Sequence, residues 1–159
     1  MIGVRRVVAG AIVALVSATA CSGGSDPGGT VAVRNVQGVG NVLVNGSGRS
    51  LYSADQESGG TVRCASAACV AIWVPLTVPA GQDPTGPDSV SGRLSTVTRP
   101  DGSRQVAFDG KPLYMFSIDH AAGEAKGNGA ADAFGGVAFT WHVAAPGETS
   151  SSGGGYSGY

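Results

Sequence analysis

Apolar residues along this chain fall mostly into short runs, and this pattern predicts a domain built from β-strands. The segment Val137–Val143 alternates strictly, with a valine or an aromatic residue at every second position, which is typical of a half-buried strand. Helical periodicity never lasts beyond two turns, and only the small residues of segment 65–72 allow one short helix. Further strands are predicted at the apolar runs 31–36, 42–44, 94–98 and 106–108.

Two glycine-containing turns divide these strands into two similar halves. Asn45-Gly46 and Asp109-Gly110 each follow one of the predicted strands. These dipeptides favour hairpins because both of their residues tolerate positive φ. Each turn leads into a second strand, so the pattern predicts one β-hairpin in each half.

The two hairpins carry the same residue types in the same order, which indicates an internal repeat. Tyr114, Phe116 and Asp119 follow the second turn, and Tyr52 and Glu57 follow the first. A tryptophan then closes each half. We therefore expect both repeats to contribute to a single core.

The fold class follows from these observations. We expect a small all-β or β-dominated single domain of two β-hairpin repeats, with one short helix after Cys64. The domain covers residues 31–145, and the repeats cover about 39–76 and 94–143. About 115 residues are enough for one hydrophobic core.

Strand alternation assigns a buried face to the second aromatic strand. Tyr114, Phe116 and Ile118 occupy alternate positions and therefore point to the same side. Three apolar side chains on one side indicate the core. We expect Phe116 to be a core anchor and Asp119 to cap the following loop.

Glu57 and Asp119 occupy equivalent places in the repeats, and two interpretations remain open. A pseudo-two-fold axis could bring them together as a carboxylate pair for acid/base catalysis. Alternatively, each could cap its own loop by accepting backbone N–H groups. Caps are favoured because no nucleophile, phosphate loop or oxyanion motif accompanies the pair. We interpret Tyr52 and Tyr114 as half-buried core aromatics.

The beginning of the chain has the features of an export signal. A basic stretch at 1–6 precedes an apolar run at 7–20, which is shorter than the ~20 residues needed to span a membrane. Residues 1–20 therefore predict a secretory signal peptide. Ala18-x-Ala20 suits ordinary cleavage, which would leave a plain secreted protein, whereas Cys21 suits lipid attachment to its thiol.

Lipidation of Cys21 is the favoured alternative because it leaves an even number of cysteines in an exported protein. A diacylated cysteine provides two buried chains, the condition for stable anchoring. We therefore expect the protein to associate with the membrane through lipid on Cys21, at the outer face of the plasma membrane.

Charge and composition restrict the other partners. Loss of Arg5 and Arg6 with the signal peptide leaves 8 of the 10 basic residues and all 11 acidic ones, a net charge near −3. The remaining cations are scattered, which argues against nucleic acid as a partner. Segments 21–30 and 146–159 are rich in Gly and Ser and predict a flexible linker and a disordered tail.

Two cysteines and two histidines are the candidate ligands for metal or redox chemistry. Cys64 and Cys69 could form a disulfide, a redox pair or half a metal site. Export favours the disulfide, and their spacing differs from the Cys-x-x-Cys of thioredoxin-like centres. His120 and His142 show no metal-ligand spacing and are interpreted as surface residues. We therefore predict no metal and no cofactor.

The second repeat also resembles a known family. Tyr114-x-Phe116-x-x-Asp119 matches the motif Y-x-[FWY]-x-x-D of bacterial secreted-repeat lipoproteins, a family without an established activity. The first repeat departs from it, with Ala54 at the central aromatic position and Glu57 at the acidic one.

The cysteine segment extends this resemblance. Cys64-x4-Cys69 precedes Trp73-Val74-Pro75-Leu76, which is similar to the family's C-x3-C before W-P-P-L. The resemblance covers about 39–143. It implies an envelope lipoprotein and transfers no catalytic residues.

These observations lead to one main functional hypothesis and one alternative. We expect a lipid-anchored, non-enzymatic binding or interaction module whose ligand the sequence does not reveal. The alternative is a small cell-surface redox or metal/haem-handling protein.

Overall fold

The computed structural model describes residues 29–147, and its strands confirm the predicted β-dominated single domain. Two short helices accompany the strands, and neither they nor any other helix in the described range could cross a membrane. The predicted signal peptide, Cys21, and nearly all of the linker and tail lie outside the described residues. The elements are β1 (Val31–Val36), β2 (Gly40–Asn45), β3 (Leu51–Ala54), α1 (Ala67–Ile72), β4 (Trp73–Pro75), β5 (Thr77–Val78), α2 (Asp88–Ser91), β6 (Leu94–Thr98), β7 (Arg104–Phe108), β8 (Lys111–Pro112), β9 (Tyr114–Phe116), β10 (Ala131–Phe134) and β11 (Val137–Val143).

The predicted short helix is confirmed as α1. The Ser66 side chain accepts a hydrogen bond from the Cys69 backbone N–H at 3.3 Å, so Ser66 is the N-cap. The helix ends where the Trp73 N–H donates to the Cys69 carbonyl. Helix α2 and strand β10 were not predicted, because they lie in segments rich in Pro, Gly and Ala that carry no periodic apolar pattern.

Both predicted turns reverse the chain, and the second forms a short hairpin, but the tyrosine strand that follows each turn does not pair with the strand before that turn. Asn45 N–H donates to the Arg49 carbonyl at 2.9 Å, and β3 then separates from β2. Asp109 and Gly110 have φ of 49° and 74°, and the short strand β8 pairs with β7 for two residues only. The tyrosine strands β3 and β9 instead lie inside another sheet, where each has a neighbour on both edges.

That sheet has five strands in the order β10-β11-β3-β9-β4. Strands β3 and β9, one from each repeat, lie side by side with Tyr52 opposite Tyr114. The outer neighbours are exchanged: β4 of the first repeat pairs with β9, and β11 of the second pairs with β3. The two repeats are therefore intertwined about a pseudo-two-fold axis between Tyr52 and Tyr114.

Backbone hydrogen bonds at the ends of the exchanged strands follow the same symmetry. Leu76 of the first repeat donates to Leu113 and accepts from Val106, at 3.0 and 2.8 Å. Ala144 of the second repeat donates to Leu51 and accepts from Leu43, at 2.8 and 2.7 Å. Each repeat thus completes the backbone hydrogen bonding of the other.

Two buried clusters form the core. Strand β3 is buried throughout; Tyr52 and Ala54 belong to one cluster and Leu51 to the other. The hairpin β1–β2 and the small sheet β5-β7-β6, to which β8 adds, complete the domain. The first cluster is mainly aromatic and includes Tyr52, Trp73, Tyr114, Phe139 and Trp141; the second is mainly aliphatic and includes Val31, Leu43, Leu51, Val106 and Leu113.

The predicted buried face of the second aromatic strand needs correction. Tyr114 is fully buried and Phe116 is half-buried against the aromatic cluster, but Ile118 is 48% exposed. Strand β9 ends at Phe116 and a turn follows, so alternation no longer applies. Asp119 points inward instead and is completely buried.

Candidate functional site

A stacked pair of tryptophans occupies the centre of the aromatic cluster. Trp73 begins β4 and Trp141 lies in β11, and their rings stack at 4.0 Å with an interplanar angle of 12°. Both indole N–H groups donate to Asp132 of β10, at 2.7 Å to Oδ2 and 2.9 Å to Oδ1. One half-buried carboxylate therefore satisfies both fully buried indoles.

Two phenylalanines extend the pair into a column of four rings. Phe116 stacks against Trp73 at 4.4 Å, and Phe139 lies against Trp141 at 5.4 Å. Gly127 also lies against the column, where a Cβ atom would come within 2.8 Å of the Trp73 ring. This position therefore requires glycine, and it brings the loop that follows β9 over the rings.

Each tryptophan also meets one tyrosine edge-on. Tyr52 contacts Trp73 with ring centroids 5.5 Å apart, and Tyr114 contacts Trp141 at 5.1 Å. Both interplanar angles exceed 70°, the edge-to-face arrangement that aromatic quadrupoles favour. The tyrosines therefore flank the indole pair symmetrically.

The Tyr52 hydroxyl is bound to the motif carboxylate of the other repeat. It donates to Asp119 Oδ2 at 2.5 Å, while Asp119 Oδ1 accepts the Lys126 backbone N–H at 3.0 Å. Burial, and then the hydrogen bond and charge of Asp119, raise the pKa of Tyr52. Asp119 thus caps its own loop and orients the tyrosine of the other repeat.

Glu57 has the corresponding place in the first repeat. Its Oε1 accepts the backbone N–H groups of Arg63 and Cys64, at 2.5 and 2.7 Å. Burial, followed by the charge of Glu57, raises the pKa of Tyr114. However, the Tyr114 hydroxyl and Glu57 Oε2 have no partner in hydrogen-bond geometry within the described residues. The two tyrosine–carboxylate pairs are therefore equivalent in position but differ in bonding.

The carboxylates of Glu57 and Asp119 each stabilise a separate loop. Glu57 and Asp119 are both completely buried, and no hydrogen bond joins them within residues 29–147. Each accepts an N–H seven residues further along the chain, from Cys64 and Lys126. This arrangement stabilises loops, and it gives an external substrate no direct path to either carboxylate.

Of the remaining candidate residues, the two cysteines belong to the aromatic cluster and the two histidines lie at the surface. Cys64 and Cys69 are joined in a disulfide bond, with Cα atoms 5.5 Å apart. His120 is exposed in the loop after β9, and His142 Nε2 lies 3.2 Å from Asp55 Oδ2 at the surface. Among residues 29–147, no group of three or more His, Cys, Asp or Glu side chains could hold a metal ion.

Asp132 and Arg99 are important polar residues that sequence reasoning missed. Arg99 is buried and donates to the Gln105 side chain and the Cys64 carbonyl, at 2.6 and 2.8 Å. A buried indole N–H needs a hydrogen-bond acceptor, so an acceptor is expected for each buried tryptophan. Nothing in the local pattern points to Asp132, which lies 59 residues from Trp73.

An open groove of about 530 Å³ lies away from the aromatic cluster. Residues 77–80, from β5 onwards, form one wall, and residues 102–104, from the turn between β6 and β7, form the other. Arg104 lies at the groove and donates to the Gln82 carbonyl at 2.5 Å. The groove therefore lies between the segment that follows the first repeat and the second repeat, and it contains none of the motif residues.

One segment of the chain is similar to a known protein family. Residues 95–145 match a family described as a secreted repeat of unknown function. This segment is therefore similar to the secreted-repeat family. The match confirms the resemblance inferred from the sequence for residues 95–145, and the family's description indicates an extracellular location. The searches of curated proteins and of solved structures found no match.

The secreted repeat corresponds to one half of the domain. The match begins within β6 and ends two residues after β11, so it includes β9 but neither β3 nor β4. Strand β9 pairs with both of those missing strands. The matched repeat therefore depends on the other half of this chain for the neighbours of its central strand.

The buried tyrosines should make the domain less stable at alkaline pH. Both hydroxyls have raised pKa values in the folded state, so the folded protein holds these protons more tightly than the unfolded chain. Stability should be complete below about pH 10 and fall above it. The slope should reach roughly 1.4 kcal/mol per pH unit for each tyrosine.

Urea denaturation at a series of alkaline pH values measures this slope. Tyr52→Phe should remove about half of it, and Tyr114→Phe should do the same. An unchanged slope in both variants would contradict the assignment.

Proposed function

We propose that this protein is an exported lipoprotein, held on the outer face of the plasma membrane through Cys21, and that it acts as a non-enzymatic binding or interaction module. The basic and apolar segments before Cys21 and the odd cysteine count support the anchor. The extracellular location of secreted repeats agrees with it.

One observation carries the non-enzymatic role: the motif residues face inward and are used within the fold. Asp119 and Glu57 are 0% exposed and accept backbone N–H groups of their own loops. Tyr52 and Tyr114 are also 0% exposed. The motif therefore builds a scaffold, and recognition of a ligand is left to the surface.

The groove lined by residues 77–80 and 102–104 is the surface that would recognise the ligand. Its volume lies within the roughly 300–1,000 Å³ typical of ligand sites. Val78 and Pro79 provide an apolar wall, and Ser103 and Arg104 provide polar groups opposite. Strand β5 must be paired with β7 for this surface to exist.

Removal of the lipid-bearing thiol tests the anchor. We expect Cys21→Ser to move the protein from the membrane fraction to the soluble fraction or the medium, because two acyl chains supply the membrane affinity. Immunoblotting of fractionated cells measures the distribution. Cys64→Ser is the control, since it removes a cysteine that lies inside the domain, and its product should remain with the membrane. A Cys21→Ser protein that stays membrane-bound would refute the anchor.

Site-specific photo-cross-linking on intact cells tests the interaction role. A photoreactive amino acid at Ser103 places the probe in the groove. The same probe at Gln37 is a matched control, because the turn between β1 and β2 is the counterpart in the first repeat and is exposed. We expect discrete adducts from position 103 only. Equal labelling from both positions, or none from position 103, would contradict a binding role for the groove.

A second candidate function is a small cell-surface redox protein. The stacked indoles with their shared carboxylate specifically favour it.

A further inference from the structure

The indole pair has the features of a site that can lose one electron. An indole that becomes a radical cation lies over the face of the second indole, 4.0 Å away, and a cation above the face of a tryptophan ring is attracted by its quadrupole. Asp132 accepts hydrogen bonds from both rings. Its negative charge would act strongly on the new positive charge, because the surroundings are largely buried and have a low effective dielectric constant.

Tyr52 has the features of a residue that would return an electron to the oxidised indole pair. Its ring contacts Trp73, and its hydroxyl already donates to Asp119 Oδ2 at 2.5 Å. A phenol that loses an electron becomes strongly acidic, so it needs a proton acceptor in place. Asp119 provides that acceptor within an existing hydrogen bond.

We propose that Trp73 and Trp141 together form a one-electron donor site for radical oxidants outside the cell, with Tyr52 and Asp119 as the terminal donor. The oxidant takes one electron from the indole pair and is itself reduced by one electron. Tyr52 then returns one electron to the indoles, and its hydroxyl proton passes to Asp119 Oδ2. The products are the reduced oxidant, a neutral tyrosyl radical and protonated Asp119.

A quinol-type one-electron donor completes the cycle. It returns one electron to the Tyr52 oxygen, and the proton on Asp119 moves back to that oxygen. The quinol, which has lost one electron, releases one proton to water and becomes a semiquinone, and the protein regains its starting state. This activity is independent of the anchor and of the groove, so it can fail while the proposed binding function stands.

Tyr52 and Tyr114 differ in how well they are placed to give up a proton. Tyr114 contacts Trp141 as Tyr52 contacts Trp73, and the Glu57 carboxylate lies near enough to raise its pKa. However, only Tyr52 has a formed hydrogen bond to its carboxylate, at 2.5 Å to Asp119 Oδ2, whereas the Tyr114 hydroxyl and Glu57 Oε2 are not in hydrogen-bond geometry. The radical should therefore form on Tyr52 in preference to Tyr114.

Pulse radiolysis of the full chain with azide radical as the oxidant tests the sequence of events. The chain has two tryptophans, both in the stacked pair, and four tyrosines. Tyr156→Phe and Tyr159→Phe are introduced into every protein, so that only Tyr52 and Tyr114 remain. We expect the transient absorbance of the indole radical to decay as that of the tyrosyl radical rises, more slowly in D₂O than in H₂O.

Matched variants identify the donor. Tyr114→Phe should leave the rise of the tyrosyl signal unchanged, whereas Tyr52→Phe should abolish it. Asp119→Asn, which keeps an acceptor oxygen but is a much weaker base, should slow it. Asp132→Asn should lower the yield of indole radical, since it removes the anion beside both rings.

Two outcomes would overturn the proposal. One is an indole radical that decays in the starting protein without any tyrosyl signal, as expected of a core that serves only for packing. The other is loss of the tyrosyl signal in Tyr114→Phe. The second comparison needs no change to Tyr52, so it remains decisive even where Tyr52→Phe does not fold.

Discussion

Replacement of Trp73 by alanine should unfold the domain or nearly so. The side chain is 0% exposed and stacks between Trp141 and Phe116. Truncation of such a residue costs about 3–5 kcal/mol, which is a large share of the roughly 5–15 kcal/mol that stabilises a domain. The change also removes one of the two N–H groups that Asp132 accepts.

Chemical denaturation beside the starting protein measures this loss. Ile118→Ala is the control, because Ile118 is an apolar residue exposed at the surface, and it should change stability by no more than about 0.5 kcal/mol. Phe116→Ala should be intermediate, since Phe116 stacks on Trp73 but is only half-buried. A Trp73→Ala domain as stable as the control would show that the aromatic column is not the centre of the core.

The two repeats, expressed separately, should not fold. A cut within the segment between β5 and α2 leaves β3 without β9 and β11, and β9 without β3 and β4. Each half would also expose a tryptophan that is buried in the intact domain. We expect fragments 29–83 and 84–147 to be unfolded alone and to regain the β-sheet signal when mixed.

Circular dichroism and NMR of the fragments, alone and mixed, test this expectation. The control is the intact domain with a protease site inserted between β5 and α2. Cleavage of that folded protein should leave the halves associated, because the contacts between them do not require the connection. A folded fragment 84–147 would show that the secreted repeat is an independent domain.

Local structure in this protein is encoded by local pattern. The strands predicted at 31–36, 94–98 and 137–143 are β1, β6 and β11 with the same bounds. The helix predicted at 65–72 is found at Ala67–Ile72. These predictions succeed because alternation, turn residues and an N-cap each act over only a few neighbouring residues.

The candidate site depended much less on local pattern. The motif tyrosines and carboxylates could be identified, but their partners could not. Tyr52 donates to a carboxylate 67 residues away, and Asp132 accepts from tryptophans on two other strands. Ile118 was placed wrongly because its strand ends two residues earlier, where the chain turns to bury Asp119.

The sequence by itself determined where the longer strands, the two turns and helix α1 form, and it indicated which two segments are copies of each other. Only the tertiary structure decided that the copies exchange strands, so that β3 lies beside β9 and each tryptophan strand pairs with the other repeat. The physical reason is that buried backbone N–H and C=O groups need partners. Strand β3 is buried at every residue and Tyr114 of β9 is buried, and a hairpin would pair only one edge of each. Strands β3 and β9 are paired on both edges only between strands of both repeats, and that choice depends on packing across more than 60 residues.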